Sequence, residues 1–229
     1  KTPLTLILSP LQRLIQQPQI SNNDKEKLEV IYRNANRMNY LINELLTFSK
    51  IEMKQMHISV RKGDIMHFLE ELSHIFDIVA GEREIDFIVS LEDTKEEVWF
   101  SPSKLERILY NLLSNAFKYT QPGGYVRLSA KLIKEEKETM VQISVKDSGR
   151  GIPKDVQEQI FESYYQVEKR DHREGFGLGL SLTRSLIHMH KGEIRVESEV
   201  NKGSDFIVTL NVSEDAYAPD ERSSENITT

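Results

Sequence analysis

The chain has 229 residues, of which 38% are hydrophobic and 29% charged, and a formal net charge of -6, a balance that fits one ordinary folded domain plus a smaller element. The acidic excess speaks against a nucleic-acid binder, and the lack of cysteine excludes disulfides, thiolate metal sites and cysteine nucleophiles. No apolar run reaches the roughly 18 residues of a membrane span and no signal peptide is visible. Membrane attachment is therefore expected only through regions outside this chain. The start at Lys1-Thr2-Pro3 without Met is expected of a piece of a longer protein.

Residues 4–15 set Leu4, Ile7, Leu8, Leu11, Leu14 and Ile15 on one helix face. Pro3 suits a first turn, whereas Pro10 predicts a kink or interruption. After a polar break, Asn23 and Glu26 form a capping pair for a second helix running to about Ile51. Its seam reads Leu28, Ile31, Ala35, Met38, Ile42 and Leu45, with gaps alternating three and four. That spacing belongs to coiled coils and bundles. Two such helices bury little surface alone, so residues 1–54 predict half of a four-helix bundle, completed by a second copy in a homodimer.

From Met53 onward the pattern changes. Residues 56–60 alternate as a strand, Asp64 caps a helix over 65–80, and Gly81 ends it. Strands are expected at 85–91 and 97–100. Ser103 and Glu106 make a second capping pair, opening a helix that reaches Tyr119. A turn at 121–124 leads into strands at 125–133 and 139–145. A short helix is expected at 154–161, a polar loop at 166–174, a helix at 178–190, and a closing hairpin at 193–199 and 205–212. Residues 214–229 are polar and predict a linker. Strands and helices without regular alternation, between about 55 and 213, predict an α+β fold with a mixed sheet under one helical layer.

Three stretches carry chemistry. In the 111–120 segment NLLSNAFKYT, Asn111, Asn115 and Lys118 fall at i, i+4 and i+7 and form one polar stripe. Asn is a poor helix former, so the stripe is either a solvated face with tolerated amides or a functional set. A carboxamide oxygen suits Mg²⁺ and a lysine neutralises phosphate. In the strand before DSGRGIP, Asp147 shares the phase of Val141, Ile143 and Val145 and points to the buried side. It either caps the turn before Gly149 or accepts a hydrogen bond from an adenine amine, with Gly149 and Gly151 leaving room for a flat ring. The third is GFGLGLSL, residues 175–182, where Gly175, Gly177 and Gly179 lead into a helix and suit phosphate. It is neither a dinucleotide fingerprint nor a P-loop. The six histidines, His57, His67, His74, His172, His188 and His190, have no catalytic context and read as structural or surface residues.

The order of these three segments resembles the ATP-binding domain of two-component sensor histidine kinases, within the gyrase/Hsp90/histidine-kinase/MutL ATPase superfamily. NLLSNAFKYT is similar to the family's N box, DSGRGIP to its G1 box, FESYYQ to its F box and GFGLGLSL to its G2 box. Residues 1–54 resemble the dimerisation and phosphotransfer hairpin. The resemblance implies a two-layer Bergerat-type sandwich binding ATP and Mg²⁺, with Asn115 on the metal and Asn111 and Lys118 serving the phosphates. Tyr119 would pack near the base and Asp147 would bind it. Gly149, Gly151 and Ile152 would shape its pocket. Gly175, Gly177, Leu178, Gly179 and Leu180 would form the glycine loop, the loop before them a lid, and Phe161 the anchor of that lid. Thr2 matches the family's phosphatase position. A histidine three residues before Lys1 would take the γ-phosphate and pass it to the aspartate of a response-regulator receiver domain, fused or separate. The parent protein would be an inner-membrane-anchored bacterial sensor, with this portion cytoplasmic. Gln166, Phe176, Ser101 and Ser103 depart from the family pattern. Another ATPase of the superfamily and a degenerate nucleotide-binding or dimerisation module stand as the alternatives.

Overall fold

The computed structural model describes residues 2–17, 20–53, 55–136, 138–165 and 177–223. Helix α1 (Thr2–Ile15) continues through Pro10, so the expected interruption is absent. Packing on the next helix holds the turns on either side of the missing N–H. Helix α2 spans Asn22–Glu52, and its cap is Ser21 rather than Asn23: the Ser21 hydroxyl accepts the Asp24 N–H at 3.2 Å.

Residues 56–60 do not form the expected strand. Val60 alone makes a parallel bridge, to Arg222, and strand β1 is Arg61–Asp64. Asp64 caps α3 (Ile65–Arg83) by accepting the His67 N–H at 3.0 Å. That helix passes Gly81 and ends on Glu84 at φ 55, so the left-handed cap falls on a glutamate. Strands β2 (Asp86–Leu91) and β3 (Glu97–Phe100) follow. Helix α4 (Pro102–Tyr119) starts at Ser101 with no side-chain cap. Ser103 and Glu106 therefore lie inside the helix instead of opening it, because Pro102 already occupies the first turn. After β4 (Tyr125–Lys134) and β5 (Thr139–Asp147), residues 154–161 form two short 3₁₀ turns in place of a helix. Helix α5 (Gly179–Met189) and strands β6 (Glu193–Glu199) and β7 (Gly203–Asn211) complete the domain.

The main sheet has the order β2-β4-β5-β7-β6. Only β2 and β4 run parallel; the other pairs are antiparallel. Strands β1 and β3 form a separate antiparallel pair. Alternation sends Val126, Leu128 and Ala130 from β4, and Val141, Ile143 and Val145 from β5, into one core with α3, α4 and α5. Leu105, Ile108, Leu112 and Leu113 of α4 are fully buried there, each contributing roughly 1.5–3 kcal/mol of transfer free energy. The result is a two-layer α+β sandwich with a mixed sheet. The hairpin of α1 and α2 touches it where Arg107 Nη1 donates to Thr47 Oγ1 at 2.8 Å and Glu44 is buried.

Residues 214–223 are not a free linker. Glu214–Ala216 forms a 3₁₀ turn, Tyr217 is 2% exposed in a second small core with Ile58 and Val60, and Ser223 N–H donates to Val60 O at 2.9 Å. A single aromatic inside a polar stretch outweighed the composition.

Candidate functional site

Asp147 closes strand β5 between Val126 and Ser204 in the sheet register. It is 4% exposed. Its Oδ1 accepts two backbone N–H groups, from Gly149 at 2.8 Å and Ser204 at 3.3 Å. Burial pushes its carboxyl above the usual range, the two N–H donors oppose that, and Asp205 adds to the rise. The carboxylate has no salt-bridge cation among the described residues. Oδ1 therefore caps the turn, as one sequence alternative had it, and the carboxylate is desolvated without a cation partner among the described residues.

The glycines after Asp147 are dictated by close approach. A Cβ on Gly149 would lie 2.5 Å from Tyr119 O, and one on Gly151, at φ +68, 2.0 Å from Glu199 O. The first contact draws this turn onto the C-terminal end of α4; the second seats it on the β6–β7 turn. Ile152 follows half-buried, its N–H donating to Ser198 Oγ at 2.8 Å and its carbonyl accepting from Gln157.

On α4, Asn111, Asn115, Lys118 and Tyr119 are half-buried while Leu112, Leu113, Ala116 and Phe117 between them are buried. The polar stripe thus edges the core. Asn111 Nδ2 donates to Thr183 Oγ1 at 2.8 Å, and a Cβ on Gly179 would stand 2.6 Å from Asn111 Oδ1. Gly179 is small because the Asn-bearing helix lies against the start of α5. Lys118 Nζ donates to the Tyr119 hydroxyl at 3.1 Å, and the Arg150 guanidinium lies 4.6 Å from the Tyr119 ring centre, a cation–π distance.

Gly177 adopts φ +71, and its carbonyl accepts the Tyr164 N–H at 2.9 Å. The two ends of segment 166–176 are thereby joined at their base. Phe161 is buried edge-on to Phe206, with centroids 6.4 Å apart. Leu178 is buried just before α5 and Leu180 is half-buried. Gly175, Gln166, Phe176, His172 and the side chain of Thr2 lie outside the described residues.

The structure therefore joins Asn111 to Gly179 and Tyr119 to Gly149, so α4 bridges the Asp147 turn and the glycine segment. Sequence reasoning passed over Thr183 and Arg150. Thr183 was detectable, since it stands one helical turn after Gly179 on the same face; the stacking of Arg150 needs the fold. A cleft of about 200 Å³ separates Asn111, Gly179 and Thr183 from Asn43 and Glu44 of α2. No cluster of three or more His, Cys, Asp or Glu that could hold a metal is present among the described residues. A metal here would need an amide ligand and oxygens from a substrate.

Residues 100–214 match the family of histidine kinase-, DNA gyrase B- and HSP90-like ATPases, and residues 1–54 match the His Kinase A (phospho-acceptor) domain. The chain is similar to histidine kinase P4 of Formosa agariphila, 36% identical over 92% of this chain and 15% of that protein. It is equally similar to the sensor histidine kinase TmoS of Ectopseudomonas mendocina, 36% identical over 95% of this chain and 22% of that protein. The chain thus spans less than a quarter of these relatives. Its fold matches that of full-length ShkA, solved in complex with AMPPNP, at a TM-score of 0.75 and 22% identity, covering 92% of this chain and 45% of that one.

Proposed function

The chain belongs to the histidine kinase-, DNA gyrase B- and HSP90-like ATPase family, and from that premise we propose that it is the catalytic core of a two-component sensor histidine kinase. Its sandwich holds Mg-ATP and presents the γ-phosphate to a histidine on the hairpin of a homodimer. One observation carries the proposal. Asp147 is a desolvated carboxylate with Oδ1 held by backbone N–H groups, beside glycines where any side chain would collide with backbone. That is an acceptor fixed in place for the exocyclic amine of a flat base.

Asn115 ligates the metal; Asn111 and Lys118 bind phosphate oxygens. Mg²⁺, when bound, supplies charge neutralisation on the phosphates. Tyr119, Gly149, Gly151 and Ile152 line the base side. Gly175, Gly177, Leu178, Gly179 and Leu180 give the phosphate loop, anchored through Phe161. The donor set fits the cofactor: two carboxamides and an ammonium on one helix face, with no competing acidic cluster among the described residues. Catalysis by these residues is positioning and charge stabilisation, as expected for phosphoryl transfer. The phosphate then passes to a receiver-domain aspartate, fused or separate, and Thr2 orients the hydrolytic water in the reverse, phosphatase reaction. No described helix is long and apolar enough to cross a membrane; the parent sensor is anchored in the bacterial inner membrane outside this chain, which faces the cytoplasm.

Calorimetry with a non-hydrolysable ATP analogue and Mg²⁺ tests the pocket. Asp147→Asn is expected to weaken binding roughly ten- to hundredfold, the scale of one charge-assisted hydrogen bond. No binding by the unsubstituted chain at millimolar analogue would sink the proposal. Restoring the upstream residues and incubating with ATP should yield acid-labile phosphate; vigorous ATP hydrolysis without it points instead to another ATPase of the superfamily.

A further inference from the structure

The segment after β7 returns to the stretch of chain that connects the hairpin to the sandwich. Tyr217 is buried against Ile58 and Val60, which precede β1, with Trp99, Met189 and Ala216 packed around them. Its hydroxyl donates to Asn211 O at 2.5 Å and Ala216 lies in the turn before it. The chain then runs alongside Val60 on both sides: Val60 N–H donates to Glu221 O at 2.8 Å, and Ser223 N–H donates to Val60 O at 2.9 Å. These two bonds are the parallel bridge between Val60 and Arg222. Arg222 is tied back by an ion pair to Glu214 at 2.8 Å, and Glu221 Oε2 accepts the Ala218 N–H at 3.0 Å. Every backbone polar group of Val60 is thus satisfied by this segment and by nothing else in the sheet.

The consequence is mechanical. Helix α2 ends at Glu52, and the linker to β1 starts there. Without residues 217–223, Ile58 and Val60 would lose the cover of Tyr217 and Val60 both of its backbone partners, so the free linker would run from Met53 to β1. With them, it ends before Ile58. We infer that residues 214–223 form a strap that clamps the linker between the hairpin and the sandwich, and so set the pivot about which the nucleotide domain moves relative to α2. The segment is joined to the site as well. Tyr217 hydroxyl also lies 3.4 Å from His190 O, and His190 Nε2 accepts the Ser101 N–H at the start of α4 at 3.2 Å. The strap, the linker and the start of the Asn-bearing helix therefore meet at one hydrogen-bonded corner. The role in phosphotransfer rests on the kinase assignment above; the clamping itself does not.

Tyr217→Ala in the full chain is the test, read by amide hydrogen exchange. Release of the strap is expected to speed exchange of the Val60 amide at least tenfold and to shift the emission of Trp99, the only tryptophan of the chain, to longer wavelength. ATP-analogue affinity should stay within twofold. Unchanged Val60 exchange overturns the strap. So does loss of analogue affinity in step with a general rise in exchange across the sandwich, because the segment would then be ordinary core. Should Tyr217→Ala fail to fold, Glu214→Ala removes only an exposed ion-pair partner; it is expected to speed Val60 exchange twofold or more, and no change overturns the strap equally. With the upstream histidine restored, Tyr217→Ala should alter the rate of autophosphorylation severalfold at unchanged KM for ATP. If that chain shows no autophosphorylation in either form, the kinase assignment falls while the exchange result still decides the strap.

Discussion

Helices α2 and α4 are both long and amphipathic, yet they end in opposite states. On α2, Ile31, Met38, Ile42 and Leu45 are 41–56% exposed, whereas on α4 Ile108, Leu109, Leu112 and Leu113 are at 0–1%. The difference lies in the partner rather than in the helix. Helix α4 meets a sheet that sends an alternating apolar face toward it; α2 meets one short helix and the edge of the sandwich. The sandwich completes its own core within one chain, whereas the hairpin leaves its apolar seam exposed.

Core truncation separates the two most sharply. Leu112→Ala is expected to destabilise the sandwich by about 2–5 kcal/mol, the range for a buried leucine in a packed core. Ile42→Ala should cost no more than about 0.5 kcal/mol in the dissociated chain, as for an exposed site. Urea unfolding at two protein concentrations distinguishes them, since only the Ile42 effect should depend on concentration. Equal costs at low concentration would erase the contrast.

Acid provides the next test, through a buried titrating group in the core of the sandwich. His190 is fully buried, donating through Nδ1 to Leu186 O and accepting the Ser101 N–H at Nε2. Burial lowers its pKa from 6.5 to about 4, the Leu186 carbonyl resists that, and Lys104 adds to the fall. The folded state thus binds its proton later than the unfolded state does. The stability this neutral imidazole confers is complete above pH 6.5 and is lost as the pH falls from 6.5 to about 4, by about 3 kcal/mol at most. Asp147, shifted upward, works in the other sense: stability falls as pH rises from the ordinary carboxylate value through its raised one. Unfolding free energy measured from pH 7 to 4 should fall with the slope of one proton, and His190→Gln should remove that slope. A sandwich as stable at pH 4.5 as at pH 7 would exclude the His190 account.

What the sequence disclosed follows the same division. Periodicity found α2, α3, α4 and α5 and every strand of the main sheet, because each repeats its apolar positions over several residues. The phase of Val141, Ile143 and Val145 placed Asp147 on the buried side, as the structure does. Single-residue chemistry was less readable. Ser103 and Glu106 have the pattern of a cap but sit inside α4, since Pro102 sets the first turn. Gly81 looked like a stop, yet a Cβ there would meet nothing within 4 Å and the chain needs no positive φ there. Pro10 was expected to interrupt α1, but a neighbouring helix tolerated it. The 214–223 segment was lost in composition, because one tyrosine carries its packing. In the site, residue types and their spacing pointed to Asn111, Asn115 and Asp147, whereas the contacts of Thr183 with Asn111 and of Arg150 with Tyr119 depend on tertiary closeness.

The seam itself can be broken with charge. Met38→Glu with Ile42→Glu places carboxylates at positions that a bundle would bury. Sedimentation should show self-association weakened at least hundredfold, about 2.8 kcal/mol. The thermal transition of the sandwich and its affinity for an ATP analogue should not move. A monomer before substitution, at high micromolar concentration, would mean that the exposed seam serves something other than a second copy.

The smallest effect is expected at the helix starts, where the contrast becomes one of context. Ser21 caps α2 at 3.2 Å in an exposed position, and Asp64 caps α3 at 3.0 Å in a half-buried one. Both replace the same orphan N–H bond. Water can take over from Ser21, but the His67 N–H is harder for it to reach. Asp64→Ala should therefore cost about 1 kcal/mol and Ser21→Ala about 0.5 kcal/mol, both within the range for N-cap loss. Ser101→Ala at α4 serves as the control near zero, since Ser101 makes no side-chain cap bond. Chemical unfolding of the three variants gives the order directly. If Ser101→Ala costs as much as Asp64→Ala, the start of α4 is held by its serine and not, as the geometry has it, by the Ser101 N–H on His190.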